Sequence, residues 1–238
     1  MHPPRLYGRR RGRKLRRGQR DLAAALLPQL SFVLPESAAL DPTGLFAFRP
    51  AAVWLEIGFG GGEHLAAQAA AHPGIGFIGC EVFDNGVARL VAAVARQGLG
   101  NVRIFADDAR LLLAALPAQS VERVFILFPD PWPKMRHRKR RLVTAATLDR
   151  LAEILADGGE LRLATDDPDY LAAMLALTTA HPAFAWQARR PADWQERPPD
   201  WPPTRYEEKA RAAGHAPAFL RFTRISRNLL ASGAAFPI

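Results

Sequence analysis

Val53-Trp54-Leu55-Glu56-Ile57-Gly58-Phe59-Gly60-Gly61-Gly62-Glu63-His64 is the stretch that decides the fold. Its first five residues, apolar apart from one acid, make a buried strand. The glycines that follow allow a tight turn and close approach to the backbone. A helix then runs over 64–71, and the alternation repeats: strand 76–82, helix 85–97, strand 102–106, helix 108–116, strand 121–127. A helix over 142–155, ended by Asp157-Gly158-Gly159, a strand over 160–164 and a helix over 168–179 continue it. Such alternation predicts an α/β fold, a doubly wound and mostly parallel Rossmann-like sheet. The end differs in kind. Residues 184–188 and 219–225 alternate in character and read as an antiparallel C-terminal pair, for about seven strands in all.

The flanks are simpler. Residues 1–20 read as a basic, flexible arm, too polar to pack, and 21–30 as a short amphipathic helix with Pro28 near its end. Turn-forming residues fill 35–50. A proline-rich segment over 191–203 and a helix over 205–213 form a late insertion between the last two strands. With no internal repeat and no second core, 21–238 is expected to be one domain.

Charge is concentrated rather than spread. The net charge is +9, yet 1–20 hold nine Arg or Lys and no acid, and 134–141 hold six more and no acid. Setting those fifteen aside leaves 17 basic against 23 acidic side chains, a net of −6. A mildly acidic body with two arginine-rich tracts is the footprint of a phosphate-contacting surface. Arginine suits bidentate phosphate contacts and base stacking. The single cysteine, Cys80, argues against a disulfide framework and fits a reducing compartment. No apolar run reaches membrane-helix length. Pro28 and Gln29 interrupt the apolar residues after the basic start, and no small-residue cleavage site follows, so a cytoplasmic protein is expected.

In a doubly wound sheet, ligands bind beyond the carboxyl ends of the strands. Counting from Gly58, the sixth position of a dinucleotide fingerprint would be a glycine, and here it is Glu63. A carboxylate there repels a pyrophosphate, and Glu56 is a second acid before the turn. Glu81 ends the second strand, where it can accept hydrogen bonds from ribose hydroxyls; Asp107 and Asp108 end the third. An acid-rimmed glycine turn suits a cationic nucleoside without phosphates, and S-adenosylmethionine is such a molecule.

The fourth strand leads into Phe128-Pro129-Asp130-Pro131-Trp132-Pro133-Lys134-Met135-Arg136-His137-Arg138-Lys139-Arg140-Arg141. Three prolines remove donors and restrict φ, which predicts a stiff, extended loop. It holds the carboxylate of Asp130, the flat ring of Trp132 and a row of cations at a strand end, an arrangement suited to placing a polyanion over a pocket.

This segment resembles that of the bacterial tRNA (guanine-N7)-methyltransferases acting at position 46 of the variable loop. Further matches are Glu56-Ile57-Gly58-Phe59-Gly60, Gly79-Cys80-Glu81-Val82, Asp108-Ala109, Ala164-Thr165-Asp166 and Thr204-Arg205-Tyr206-Glu207. Arg11-Gly12-Arg13 with Gln19 resembles the family's N-terminal region, so the likeness spans about 11–225. Met135 stands where a polar or basic residue is common, Tyr206 where phenylalanine is usual, and a long proline-rich stretch precedes Thr204.

The resemblance implies a methyltransferase sheet with S-adenosylmethionine held by Glu56, Gly58, Gly60, Glu81, Asp108 and Asp130, and Asp130 as the site acid. It implies that Lys134, Asp166, Thr204, Arg205, Tyr206 and Glu207 hold the substrate guanosine, with 191–213 as a substrate-binding insertion. Arg136, His137, Arg138, Lys139, Arg140 and Arg141 would contact tRNA. No metal is expected, since the six histidines and one cysteine are scattered; the protein would act as a monomer or homodimer. The rival readings are a nicotinamide-dependent oxidoreductase, disfavoured by the glycine pattern, and a non-catalytic RNA-binding module, which has no need of Glu56, Glu81 and Asp108. An adenine or cytosine amino-methyltransferase would carry Asp/Asn-Pro-Pro-Tyr/Trp at this strand end, where Pro-Asp-Pro-Trp stands instead.

Overall fold

The computed structural model describes residues 10–36 and 39–232. The elements, in chain order, are α1 (Arg17–Leu30), β1 (Ala52–Ile57), α2 (Glu63–Ala71), β2 (Ile75–Cys80), α3 (Asp84–Gln97), β3 (Val102–Phe105), α4 (Ala109–Ala115) and β4 (Val121–Leu127). A 3₁₀ turn (Met135–Arg140) follows, then α5 (Ala145–Ile154), β5 (Leu155–Thr165), α6 (Pro168–Ala180), β6 (Phe184–Trp186), α7 (Ala192–Gln195), α8 (Arg205–Ala212), β7 (Ala218–Arg224) and α9 (Arg227–Ser232).

The strands form one seven-stranded sheet in the order β3-β2-β1-β4-β5-β7-β6. β1 to β5 pair in parallel, and β7 pairs antiparallel with both β5 and β6. The chain winds outward from β1 to β3, then returns to lay β4 on the other side of β1. That reversal opens a crevice between the carboxyl ends of β1 and β4.

Strand periodicity explains the core. In β1, Val53, Leu55 and Ile57 join a cluster on one sheet face, and Trp54 joins a cluster on the other. β4 divides likewise, Val124 and Ile126 against Phe125 and Leu127. Both faces are buried, so the strands read as continuous apolar runs. Burial of this apolar surface is the main stabilising term.

Several expectations shift in detail. The helix expected from residue 21 starts at Arg17, inside the expected arm, and packs against α3. Residues 10–13 are also tied to the body. The Arg10 carbonyl accepts from Asp84 N at 2.9 Å, Gly12 N donates to Asn85 Oδ1 at 2.9 Å, and Asn85 Nδ2 donates to the Arg13 carbonyl at 2.7 Å. Composition pointed to a loose arm because its partners lie far away in sequence. Residues 1–9 of that arm fall outside the described residues.

Asp157-Gly158-Gly159 does not end a helix; it lies within β5, where the register against β4 shifts between Val121 and Arg123. Gly158 has φ +79°, and a Cβ on Gly159 would meet the Glu122 carbonyl at 2.7 Å, so this glycine pair makes a bulge. Nor is the proline loop simply extended: Phe128 and Trp132 both have positive φ, 52° and 46°. Two bulky residues in that region mark stored backbone strain.

Candidate active site

The crevice is a cleft of ≈ 550 Å³. Its first wall is the turn after β1. Gly58 and Gly60 adopt φ +76° and +56°, and Gly58 N continues the ladder to the Cys80 carbonyl at 2.8 Å. α3 comes unusually near: a Cβ on Gly86 would lie 2.1 Å from the Gly60 carbonyl oxygen. Only glycine permits that approach.

Glu81, just after β2, braces the turn. One carboxylate oxygen accepts from Gly60 N at 2.8 Å, the other from Val82 N at 2.8 Å and Phe83 N at 3.0 Å. Two oxygens offer about four acceptor positions, so capacity remains for a hydroxyl donor. Burial raises the Glu81 carboxyl above the ordinary glutamate range, against the downward pull of those three N–H groups.

Asp108 caps α4, accepting from Arg110 N at 3.0 Å, and pairs with the Arg110 guanidinium at 2.5 Å. Burial pushes its carboxyl up, but the Arg110 hydrogen bonds and charge outweigh that, and the group lies below its usual value. Asp107 also lines the cleft, where Arg10 reaches it at 3.0 Å.

The opposite wall is the loop after β4. Its Phe128 N donates to the Ala164 carbonyl at 2.8 Å, fixing the exit from the sheet. Asp130 is exposed at the cleft beside Trp132. The Arg140 guanidinium lies 4.8 Å from the Trp132 ring centroid, and His137 meets that ring edge-on at 6.0 Å. Thr204 caps α8 through Glu207 N at 3.1 Å, and α8 brings Tyr206 over the glycine turn. A Cβ on Gly60 would meet the Tyr206 ring at 2.7 Å.

Of the site residues expected from sequence, the cleft thus gathers Gly58, Gly60, Glu81, Asp108, Asp130, Tyr206, Lys139, Arg140 and Arg141. Others stand apart. Glu56 shares the strand parity of Trp54, so it points beneath the turn, 5 % exposed, with its carboxylate 2.7 Å from His64 Nδ1. It is not among the lining residues.

Arg141, expected on the RNA face, is 8 % exposed. Its Nε donates to the Pro131 carbonyl at 2.8 Å, its guanidinium pairs with Asp169, and it lies 4.6 Å from the Tyr170 ring centroid. It is a strut of the loop. Arg138 also pairs with Asp169, at 2.7 Å, while Lys134 and Arg136 are exposed. Asp166, at the end of β5, meets His215 Nδ1 at 2.9 Å. Arg205 lies 5.2 Å from the Tyr206 ring centroid, and Glu207 is buried against Arg197 and Arg211 at 3.3 and 3.1 Å.

The late insertion also serves the core. Trp201 is 2 % exposed on the sheet face that carries Glu56 and His64. Neighbouring Asp200 accepts from Arg162 at 2.6 Å through its carboxylate and from Gln68 at 2.6 Å through its carbonyl. Sequence reasoning missed Arg110, Thr144 and Thr147 in the cleft lining, and Gly86 behind the turn. An isolated glycine early in a helix is the signal that could have found Gly86.

The donor set suits a cationic nucleoside. Four carboxylates line the cleft, those of Glu81, Asp107, Asp108 and Asp130, with Ile57, Val82 and Phe83 as apolar surface between them. Where a pyrophosphate would require a bare helix N-terminus, α2 begins at Glu63, paired with Arg205 at 3.8 Å.

Among solved structures, a 16S rRNA methyltransferase, KamB, aligns with TM-score 0.54 at 15 % identity, over 74 % of this chain and 89 % of its own. An rRNA methylase from Streptococcus thermophilus aligns at 0.50 and 12 % identity, over 74 % and 87 %. These similarities establish a methyltransferase-type fold. The family model described as "Putative methyltransferase" matches residues 50–220. A protein named tRNA (guanine-N(7)-)-methyltransferase from Rhodospirillum rubrum is 52 % identical over 226 residues, 94 % of this chain and 89 % of that one. Its namesake from Paramagnetospirillum magneticum is 51 % identical, over 94 % of each. With a family model matching more than half of the chain and relatives about 50 % identical over 94 % of it, the chain belongs to the tRNA (guanine-N(7)-)-methyltransferase family.

Proposed function

We propose that this protein transfers the methyl group of S-adenosylmethionine to N7 of a guanine in tRNA, at position 46 of the variable loop. The observation that carries the proposal is the pairing, across one cleft, of an acid-rimmed glycine turn with the Asp130–Trp132–Arg140 loop. The relatives' names support the substrate.

When bound, S-adenosylmethionine supplies an electrophilic methyl group on a sulfonium. Glu81 would hold the ribose hydroxyls and Asp108 the adenine end, with Gly58 and Gly60 giving close backbone approach. Glu56 would act from beneath, through His64 and the turn it supports.

Guanine N7 carries a lone pair at neutral pH, so the chain needs no base to create a nucleophile. Its work is orientation and charge stabilisation. Asp130, exposed at the cleft, would stabilise the positive charge that develops on the guanine or accept from its N1–H and N2–H donors. Asp166 with His215 would take the other of these tasks. Trp132, with Arg140 over its ring, offers a stacking surface for a base turned out of the tRNA fold. Lys134, Thr204, Arg205, Tyr206 and Glu207 would hold the guanosine. Arg136, His137, Arg138, Lys139 and Arg140 would meet phosphates, mostly without reading sequence.

Labelled methyl transfer to an unmodified tRNA transcript, with the product nucleoside identified by mass spectrometry, tests this reading. N7-methylguanosine is expected, and Asp130→Ala should lower the rate by about 10²–10³, as for loss of one electrostatic contact to a transition state. A different methylated nucleoside would overturn the target atom. Tight tRNA binding without transfer would favour the binding-module reading.

A further inference from the structure

A second cleft, of ≈ 420 Å³, meets the first at the glycine turn: Gly60 lines one and Gly61 the other. Small residues open it. Ala66 on α2 and Ala93 on α3 form part of its floor, and Gln19 of α1 reaches its edge.

Arg89 and Arg96 of α3 also line it, both exposed, and neither meets a carboxylate among the described residues. Seven residues apart, they lie on the same helix face, about 10.5 Å apart along the axis. Glu63 is the acid of this cleft, and its charge is offset by Arg205 at 3.8 Å. Outside the cleft lining, the segment entering α1 carries Arg13, Lys14 and Arg16, again without an ion pair among the described residues. The next two arginines behave differently: Arg17 and Arg20 share Asp21 at 3.7 and 3.5 Å.

Arg89 and Arg96 thus present two cations without an acidic partner among the described residues beside a groove, on a body whose remaining charge is negative. They create a local positive potential that attracts an external polyanion. The proposed chemistry uses none of them.

We propose that this groove is a second polynucleotide-backbone site, holding phosphates of the same tRNA whose guanine enters the first cleft. The inference rests on the function proposed above. Arg89 and Arg96 are the contact residues, and the RNA passes from one cleft to the other around the outside of the glycine turn.

Binding of unmodified tRNA transcript to the full chain, titrated over salt, tests it in the wild type, Arg89→Gln/Arg96→Gln and Arg89→Glu/Arg96→Glu. The neutral pair should weaken binding about tenfold near 0.1 M salt and flatten the dependence of log affinity on log salt by about 1.5, as expected for two lost phosphate contacts. The reversed pair should weaken it further. Affinity for S-adenosylmethionine and the thermal midpoint should stay at wild-type values. Unchanged tRNA affinity and slope in both variants would overturn the groove site while leaving the proposed function intact. A wild-type dimer that becomes monomeric in the variants, with tRNA affinity unchanged, would assign the groove to a second copy of this chain and overturn the RNA reading. A wild type that binds no tRNA would overturn both proposals together.

Discussion

The two walls of the main cleft are built on opposite plans. On the glycine-turn side the acids are already engaged: Glu81 holds three backbone N–H groups, and Asp108 caps a helix and pairs with Arg110. On the proline-loop side several polar groups are left exposed. Asp130, Lys134 and Arg136 are exposed, and the loop is anchored at its base by Arg141 and by the backbone bond from Phe128 to Ala164. A wall whose groups are fixed before binding loses little freedom when a small ligand arrives. A wall of exposed, long cationic side chains adapts to a large polyanion and grips it mainly by charge. The contrast fits a small cofactor on one side and a large nucleic acid on the other.

The most severe test of the contrast is Gly86→Ala. Its Cβ would lie 2.1 Å from a backbone oxygen of the turn, so α3 or the turn must move. Overpacking of this kind costs about 1–3 kcal/mol. Calorimetry should show cofactor affinity falling roughly tenfold, the factor that about 1.4 kcal/mol carries, while tRNA affinity holds. Equal losses on both ligands would mean that the walls are one rigid unit.

A milder effect should split the cationic loop itself. Arg141→Ala removes a charge-assisted hydrogen bond to the Pro131 carbonyl, worth about 1.5 kcal/mol or more. The thermal midpoint should then drop by roughly 3–6 °C in a chain of this size. Arg136→Ala should leave the midpoint unchanged and instead flatten the salt dependence of tRNA binding by about 0.7–1. If Arg136→Ala melts early and Arg141→Ala does not, the division into strut and contact is wrong.

The smallest effect concerns pH. Burial raises the Glu81 carboxyl in the folded protein, so the native state holds that proton more tightly than the unfolded chain. The stability this confers is fully present below the unfolded pKa and is lost as pH rises through the folded one. Denaturant unfolding across mildly acidic pH should therefore show the wild type losing stability relative to Glu81→Gln as pH rises. Cofactor affinity of the wild type should run the other way, rising with ionisation by at most about tenfold per unit of pKa difference. Parallel pH profiles for the two proteins would show that this carboxylate is not the titrating group.

How much of this was legible beforehand can be seen residue by residue. Glu81 and Asp108 were readable because a residue at a strand's carboxyl end borders the crevice of any such sheet. Asp130 and Trp132 were readable from their place after an apolar strand. Glu56 was also at a strand end, but side-chain alternation turned it to the opposite face, toward His64. Arg141 belonged to a tract that looked uniformly solvated, and its burial depends on Asp169 and Tyr170, nearly thirty residues later. Residues 10–13 lacked an apolar pattern, and what holds them is hydrogen bonding to Asp84 and Asn85, some seventy residues away.

By itself, then, the sequence determined the alternation of strands and helices, the acid-rimmed turn, the placement of charge in two tracts and the membership of a family. These depend on local periodicity and turn chemistry, which neighbouring residues carry on their own. Tertiary structure alone decided which acids face the cleft, which arginine became a strut, how closely Gly86 approaches the turn and that Trp201 closes a sheet face. Those outcomes come from packing between segments distant in the chain, where parity, volume and available partners matter more than residue type.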